Sequence, residues 1–175
     1  MNYKILTVLF ISVLSFTSLT FIPDKIKKKV VKEVSDVFET EEFQLIPVEV
    51  TDEINSTLPL KITGENFFKL TSDNNLLGYV FIDDAPSKTA RFDYMVIFDA
   101  ALIIKRTKVL VYREEYGGEI GSKRWLRQFE GKTKADSLNN VMAISGATIS
   151  VNSMTNAVND LLKTVNILYE HKIVE

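Results

Sequence analysis

The stretch Arg91-Phe92-Asp93-Tyr94-Met95-Val96-Ile97-Phe98-Asp99 alternates with a period of two. Phe92, Tyr94, Val96 and Phe98 fall on one face, Met95 and Ile97 on the other. Side chains alternate across a strand, so apolar residues on both faces predict a central strand covered on both sides. Its neighbours extend the pattern. Leu76 to Ile82 precedes it after an Asn74-Asn75 turn, and Leu102 to Arg113 follows it, rich in β-branched and aromatic residues. The gaps leave no room for a crossover helix, which predicts an antiparallel meander. Further upstream, Phe43 to Val50, Leu60 to Ile62 and Phe67 to Leu70 are short apolar pieces separated by Pro47, Pro59, Gly64 and Asn66.

Helices flank this region. From Ile149 to Tyr169, residues Met154, Val158, Leu161, Leu162, Val165 and Leu168 recur at helical spacing and form one apolar stripe. Trp125 to Phe129 reads as a short helical or turn segment. From Pro23 to Phe38, Ile26, Val30, Val31, Val34 and Val37 alternate with lysines, which predicts an amphipathic helix linking a membrane to the domain. Its basic side is either a solvated face or a surface for anionic lipid. Glu39 to Glu42 is a surface loop. The class is α+β: a mid-chain antiparallel sheet flanked by an N-terminal anchor helix and a long C-terminal helix.

Composition narrows the chemistry. At 175 residues the chain suits one globular domain. With no Cys and one His it cannot build a Cys-rich zinc site, a self-ligated iron–sulfur cluster or a multi-His metal centre. Redox chemistry would need an organic cofactor. A net charge of −2 offers no broad attraction for a phosphate backbone, so no nucleic acid partner is expected. Ile5 to Ile22 carries no charge and is 18 residues long, the signature of a signal sequence or a membrane anchor. The lack of a small-x-small cleavage site favours a retained anchor. Lys25, Lys27, Lys28, Lys29 and Lys32 follow this run and only Lys4 precedes it, a bias that argues against export.

The segment with chemical content is Ile144-Ser145-Gly146-Ala147-Thr148-Ile149-Ser150, directly before the last helix. Small residues permit close approach, Ser145, Thr148 and Ser150 supply hydroxyls, and a helix N-terminus offers unpaired N–H groups and partial positive charge. Such a place suits a phosphate, although Ser and Thr are equally at home as plain helix caps. Gly117-Gly118 and Gly121 lack dinucleotide-loop spacing, and no P-loop is present. The lone His171 lies almost at the chain end and has no nucleophile to serve. Asp83-Asp84 and Glu114-Glu115 are sequence neighbours that point to opposite strand faces, which disfavours a shared glycosidase site.

The run Ser145-Gly146-Ala147-Thr148 followed by an amphipathic helix resembles the flavinylation motif of the FMN-binding domain family. That family includes the C subunit of sodium-translocating NADH:quinone reductases, the G subunit of Rnf-type complexes, and exported flavinylated electron carriers. Glu115-Tyr116-Gly117-Gly118-Glu119-Ile120 is similar to its E-T-P-G-L-G loop, with Glu115 and Gly118 matching and the Pro and final Gly absent. Trp125 to Phe129, Gly78-Tyr79-Val80 and Phe92 to Asp99 resemble the segments around it. The resemblance divides the chain into a signal or anchor over 1–22, a linker helix over 23–42 and an FMN-binding domain over 43–175.

The resemblance further implies FMN attached through its phosphate to Thr148 by a flavin transferase. Ser145, Gly146, Ala147, Ile149 and Ser150 would lie around it, with Glu115, Tyr116, Gly117 and Gly118 as a loop near the flavin. Tyr116 and Trp125 are either core aromatics, the favoured reading, or stacking partners for the ring. The implied role is electron carriage in the membrane, with the domain on the periplasmic or extracellular side and a reductase or quinol-linked donor as partner. One position departs from the family pattern: Met142 stands where the transferase motif has Asp. With the altered glycine loop, it admits a second reading, a membrane-tethered assembly module that has lost its flavin.

Overall fold

The computed structural model describes residues 23–175; the candidate signal or anchor over Ile5 to Ile22 lies outside them. Helix α1 (Asp24–Phe38) leads into strand β1 (Gln44–Pro47) and a short helix α2 (Asp52–Thr57). Strands β2 (Phe67–Ser72), β3 (Asn75–Pro86), β4 (Arg91–Asp99) and β5 (Ile104–Val111) follow. A 3₁₀ turn at Gly118–Gly121, helix α3 (Lys123–Leu126), a second 3₁₀ turn at Arg127–Phe129 and helix α4 (Thr148–Glu170) complete the chain.

The five strands form one antiparallel sheet in the order β1-β2-β3-β4-β5: β3, β4 and β5 are the meander that the short connections predict, and β1 and β2, read from sequence only as short apolar pieces, extend it. The β2–β3 hairpin turns at Asp73 and Asn74, both with positive φ (49° and 63°), so Asn75 is already in the strand. Asp and Asn tolerate that region better than other non-glycine residues. Strand β3 runs past the predicted Ile82 to Pro86. Asp83 and Asp84 do not end it, because they pair across the ladder with Tyr94 and Asp93 and Arg91 holds the Asp84 carboxylate at 2.7 Å. Gly78 sits where β3 presses on β4: a Cβ there would lie 2.0 Å from the Phe98 carbonyl oxygen.

Both faces of the sheet are covered. Phe67, Phe81, Phe92, Tyr94, Val96 and Phe98 form one core with α4, which contributes Val151, Met154, Val158, Leu161, Leu162, Val165 and Leu168. Phe68, Leu70, Val80, Ile82, Met95, Ile97 and Leu110 form the other with Val30 and Val34 of α1. The two sides of the 91–99 stretch thus enter separate cores, as its alternation predicts. Of the α1 stripe, Val30 and Val34 are buried against the sheet and Ile26 and Val37 partly so, while Val31 is exposed; Glu33 lies between Arg106 (2.8 Å) and Lys108 (3.0 Å) of β5. Burial works to raise the Glu33 pKa, but hydrogen bonds and charge from Lys108 and Arg106 outweigh it and hold the carboxyl below its ordinary value. This helix is therefore one wall of the second core as well as the stretch that follows the apolar run. Among the described residues no helix is long and apolar enough to cross a membrane.

Candidate functional site

Helix α4 begins at Thr148 with Ala147 at its cap position, and no side chain caps it. The first bond of the helix runs from the Val151 N–H to the Ala147 carbonyl at 2.9 Å. Among the described residues the N–H groups of Thr148, Ile149 and Ser150 have no acceptor, and the first turn carries no acidic residue. The helix head keeps its positive end unneutralised. Gly146 precedes it in the left-handed region (φ 82°), which turns the chain sharply into the helix.

The three hydroxyls have different fates. Ser150 is buried, 4% exposed, and its Oγ lies 3.1 Å from the Tyr112 hydroxyl. Ser145 is exposed and lies outside the cleft described below. Thr148 is exposed, lines the cleft, and its hydroxyl has no hydrogen-bond partner among the described residues.

Tyr112, just past the end of β5, organises this corner. Its hydroxyl donates to the Tyr116 carbonyl at 2.8 Å and meets Ser150 of α4, so it ties the loop after β5 to the helix head. Gly117 lies in the crowded space between them. A Cβ at this residue would stand 2.7 Å from the Tyr112 hydroxyl and 3.4 Å from the Ala147 Cβ, and its φ of 84° is itself glycine-favouring. The Tyr116 ring projects outward and is 83% exposed. The expected core position is therefore corrected for Tyr116: its carbonyl is held by Tyr112 while its side chain stays exposed. Trp125 does take a core position, 5% exposed, edge-on to Phe129, with its indole N–H donating to the Met142 carbonyl at 2.7 Å. Met142 also donates its N–H to Gln128 at 2.7 Å, so its backbone is held at both ends while its side chain is exposed.

The cleft at the head of α4 encloses about 410 Å³ and is lined by Lys88, Tyr112, Glu114, Tyr116, Gly146, Ala147, Thr148, Ile149 and Ser150. Cofactor sites usually occupy roughly 300–1,000 Å³. Of the residues singled out in the sequence, Gly146, Ala147, Thr148, Ile149, Ser150 and Tyr116 come together here. Ser145, Glu115, Gly117 and Gly118 do not line it, although Gly117 packs behind it against Ala147. Lys88, Tyr112 and Glu114 were not expected. Tyr112 had a signal, since it continues the strand that ends at Val111. Glu114 and Lys88 had none, because the contact between the β3–β4 turn and the segment after β5 exists only once the sheet is formed.

Glu114 accepts hydrogen bonds from the Ser87 hydroxyl (2.6 Å), the Thr89 N–H (2.6 Å) and hydroxyl (3.1 Å), and the Ala90 N–H (3.0 Å). These donors, the Ser87 hydroxyl foremost, pull its pKa down to about 2. Lys88, within that turn, makes no salt bridge among the described residues.

The cleft thus gathers the unbonded N–H groups of Thr148, Ile149 and Ser150, one lysine and one carboxylate, and the exposed Tyr116 and Ile149. Residues 90–163 match the sequence model of the FMN-binding domain, which supports FMN as the ligand of this part of the chain. The match takes in β4, β5, the loop through Gly118 and most of α4; Lys88 falls just before it. No curated protein matches the chain. The residues present fit FMN. The N–H groups of Thr148, Ile149 and Ser150 suit its phosphate, and Tyr116 and Ile149, 83% and 51% exposed, offer apolar surface to its ring system.

Proposed function

We propose that the protein is a membrane-associated electron carrier whose FMN is attached through its phosphate to the Thr148 hydroxyl. The observation that carries this reading is the separation of the three hydroxyls: Ser150 is engaged with Tyr112, Ser145 lies outside the cleft, and Thr148 lines it with its hydroxyl unpartnered beside the free N–H groups. Bound FMN would supply one- and two-electron chemistry. The chain's own residues do the holding. The N–H groups at the head of α4 would hold the phosphate, Tyr112 keeps the loop and the helix in register, and Tyr116 and Ile149 would offer apolar surface to the ring system. A phosphoester would keep the cofactor in place outside the cytoplasm, where no flavin pool replenishes it. The uncharged run from Ile5 to Ile22 supports attachment to a bilayer, within reach of a reductase or quinol-linked donor.

The test is expression of the full chain with a flavin transferase. Intact-mass analysis and a denaturing gel should show a flavin adduct and a yellow band that survive denaturation in the wild type and vanish in Thr148→Ala. Colour that washes out on denaturation would mean FMN held without a bond. Colourless protein from both would favour the second reading, a tethered assembly module, to which the exposed Met142 at the transferase motif position lends support. Membrane fractionation tests the association.

A further inference from the structure

Beyond the attachment point, the β3–β4 turn brings a cation into the cleft. Lys88 lies outside the matched family segment, lines the cleft with Thr148 and the free N–H groups, and has no salt-bridge partner among the described residues. The turn that carries it is closed by the Ser87 N–H donating to the Ala90 carbonyl at 2.8 Å. Glu114 then fastens it from outside the hairpin with four hydrogen bonds, two from backbone N–H groups and two from hydroxyls. Its carboxylate lines the same cleft, with both oxygens hydrogen-bonded to the turn. Lys88 is left without a salt-bridge partner among the described residues, in the cleft that the head of α4 also lines.

We propose that Lys88 recognises the cofactor's phosphate and that Glu114 is its positioning residue, holding the turn so that the ammonium faces the cleft. The inference rests on the flavin reading of this cleft. A lysine is a compact point charge on a flexible stem, so its contribution to phosphate selectivity depends on how firmly its backbone is placed. Four bonds to one carboxylate supply that placement.

The experiment uses the full chain, purified in neutral detergent from a host without flavin transferase and titrated with FMN and with riboflavin, which lacks the phosphate. The wild type should prefer FMN by about tenfold or more, as expected for charge-assisted contacts to a phosphate. Lys88→Gln should cut that preference about fivefold with riboflavin affinity unchanged, and Lys88→Arg should restore most of it, the scale of one charge-assisted contact. Glu114→Gln should lower the preference about threefold, by loosening the turn rather than removing the charge. The double change Ser87→Ala and Thr89→Ala, which takes away two donors and leaves Glu114, should do the same should the glutamine variant fold poorly. A preference unchanged in Lys88→Gln, or equal losses for FMN and riboflavin, would overturn the role of Lys88. A preference unchanged in both turn variants would overturn the role of Glu114. Wild-type protein that binds neither flavin would overturn the recognition proposed here, and the flavin reading falls with it only when co-expression with the transferase also yields no adduct.

Discussion

Removing the Tyr112 hydroxyl, by Tyr112→Phe, separates the loop after β5 from the head of α4 with almost no change in volume. The tyrosine has a single hydroxyl hydrogen, and at 2.8 Å it goes to the Tyr116 carbonyl. Ser150 must then be the donor in the 3.1 Å contact between the two hydroxyls. The substitution deletes two hydrogen bonds with unequal consequences. The Tyr116 carbonyl belongs to an exposed loop and can turn to water, whereas Ser150 is 4% exposed and its hydroxyl is stranded. A neutral hydrogen bond contributes about 0.5–1.5 kcal/mol and a stranded buried group costs about 1–3 kcal/mol, so a loss of about 2 kcal/mol is expected. For a chain of this size that is a fall in Tm of about 4–8 °C. Ser150→Ala should cost less, because Tyr112 keeps its bond to the loop. The double variant should then be less destabilised than the sum of the singles by about 1 kcal/mol, the mark of direct coupling. Urea denaturation of the four proteins at neutral pH measures this cycle. Additivity within about 0.3 kcal/mol would refute the picture of one hydroxyl joining loop and helix.

Glu33 gives a pH prediction. Its folded pKa lies below the ordinary 4.5, so its contribution is present above that value and is lost as the pH falls through the lower folded value. Glu33→Gln should flatten the acid limb of the stability curve below about pH 4.5 in denaturant titrations. At neutral pH it should cost about 1–2 kcal/mol, less than a fully buried pair, because Arg106 and Lys108 are each 31% exposed. Gly78→Ala should cost about 3 kcal/mol or more, since the new methyl meets the Phe98 carbonyl at 2.0 Å and only a shift of β3 against β4 relieves it; the loss is read from thermal melts. A nearly neutral Gly78→Ala would show that the two strands have slack.

Much of the fold was legible because it rests on local periodicity. The 91–99 stretch placed a two-sided strand correctly, and the stripe after Ile149 placed α4 to within a residue at each end. The short helix α2 escaped notice, since six residues are too few to show an apolar period and only Thr51 marks its start. The extension of β3 through Asp83 and Asp84 was hidden because the charges break the apolar run, and their partners lie on another strand. At the site, the motif residues from Gly146 to Ser150 were legible as a cluster. The difference between their hydroxyls was not, because it depends on Tyr112, 38 positions upstream of Ser150.

By itself the sequence determined the α+β class, the meander of β3, β4 and β5 and the position of the helix head, because each depends on residues adjacent in the chain. It also excluded a self-ligated iron–sulfur cluster and a multi-His metal centre, since the chain has no Cys and a single His. Only the tertiary structure decided which hydroxyl faces the cleft, that α1 is buried on the sheet's second face, and that Lys88 and Glu114 join the site. Those outcomes depend on groups far apart in sequence that meet only after the meander closes, and no local pattern encodes a meeting of that kind.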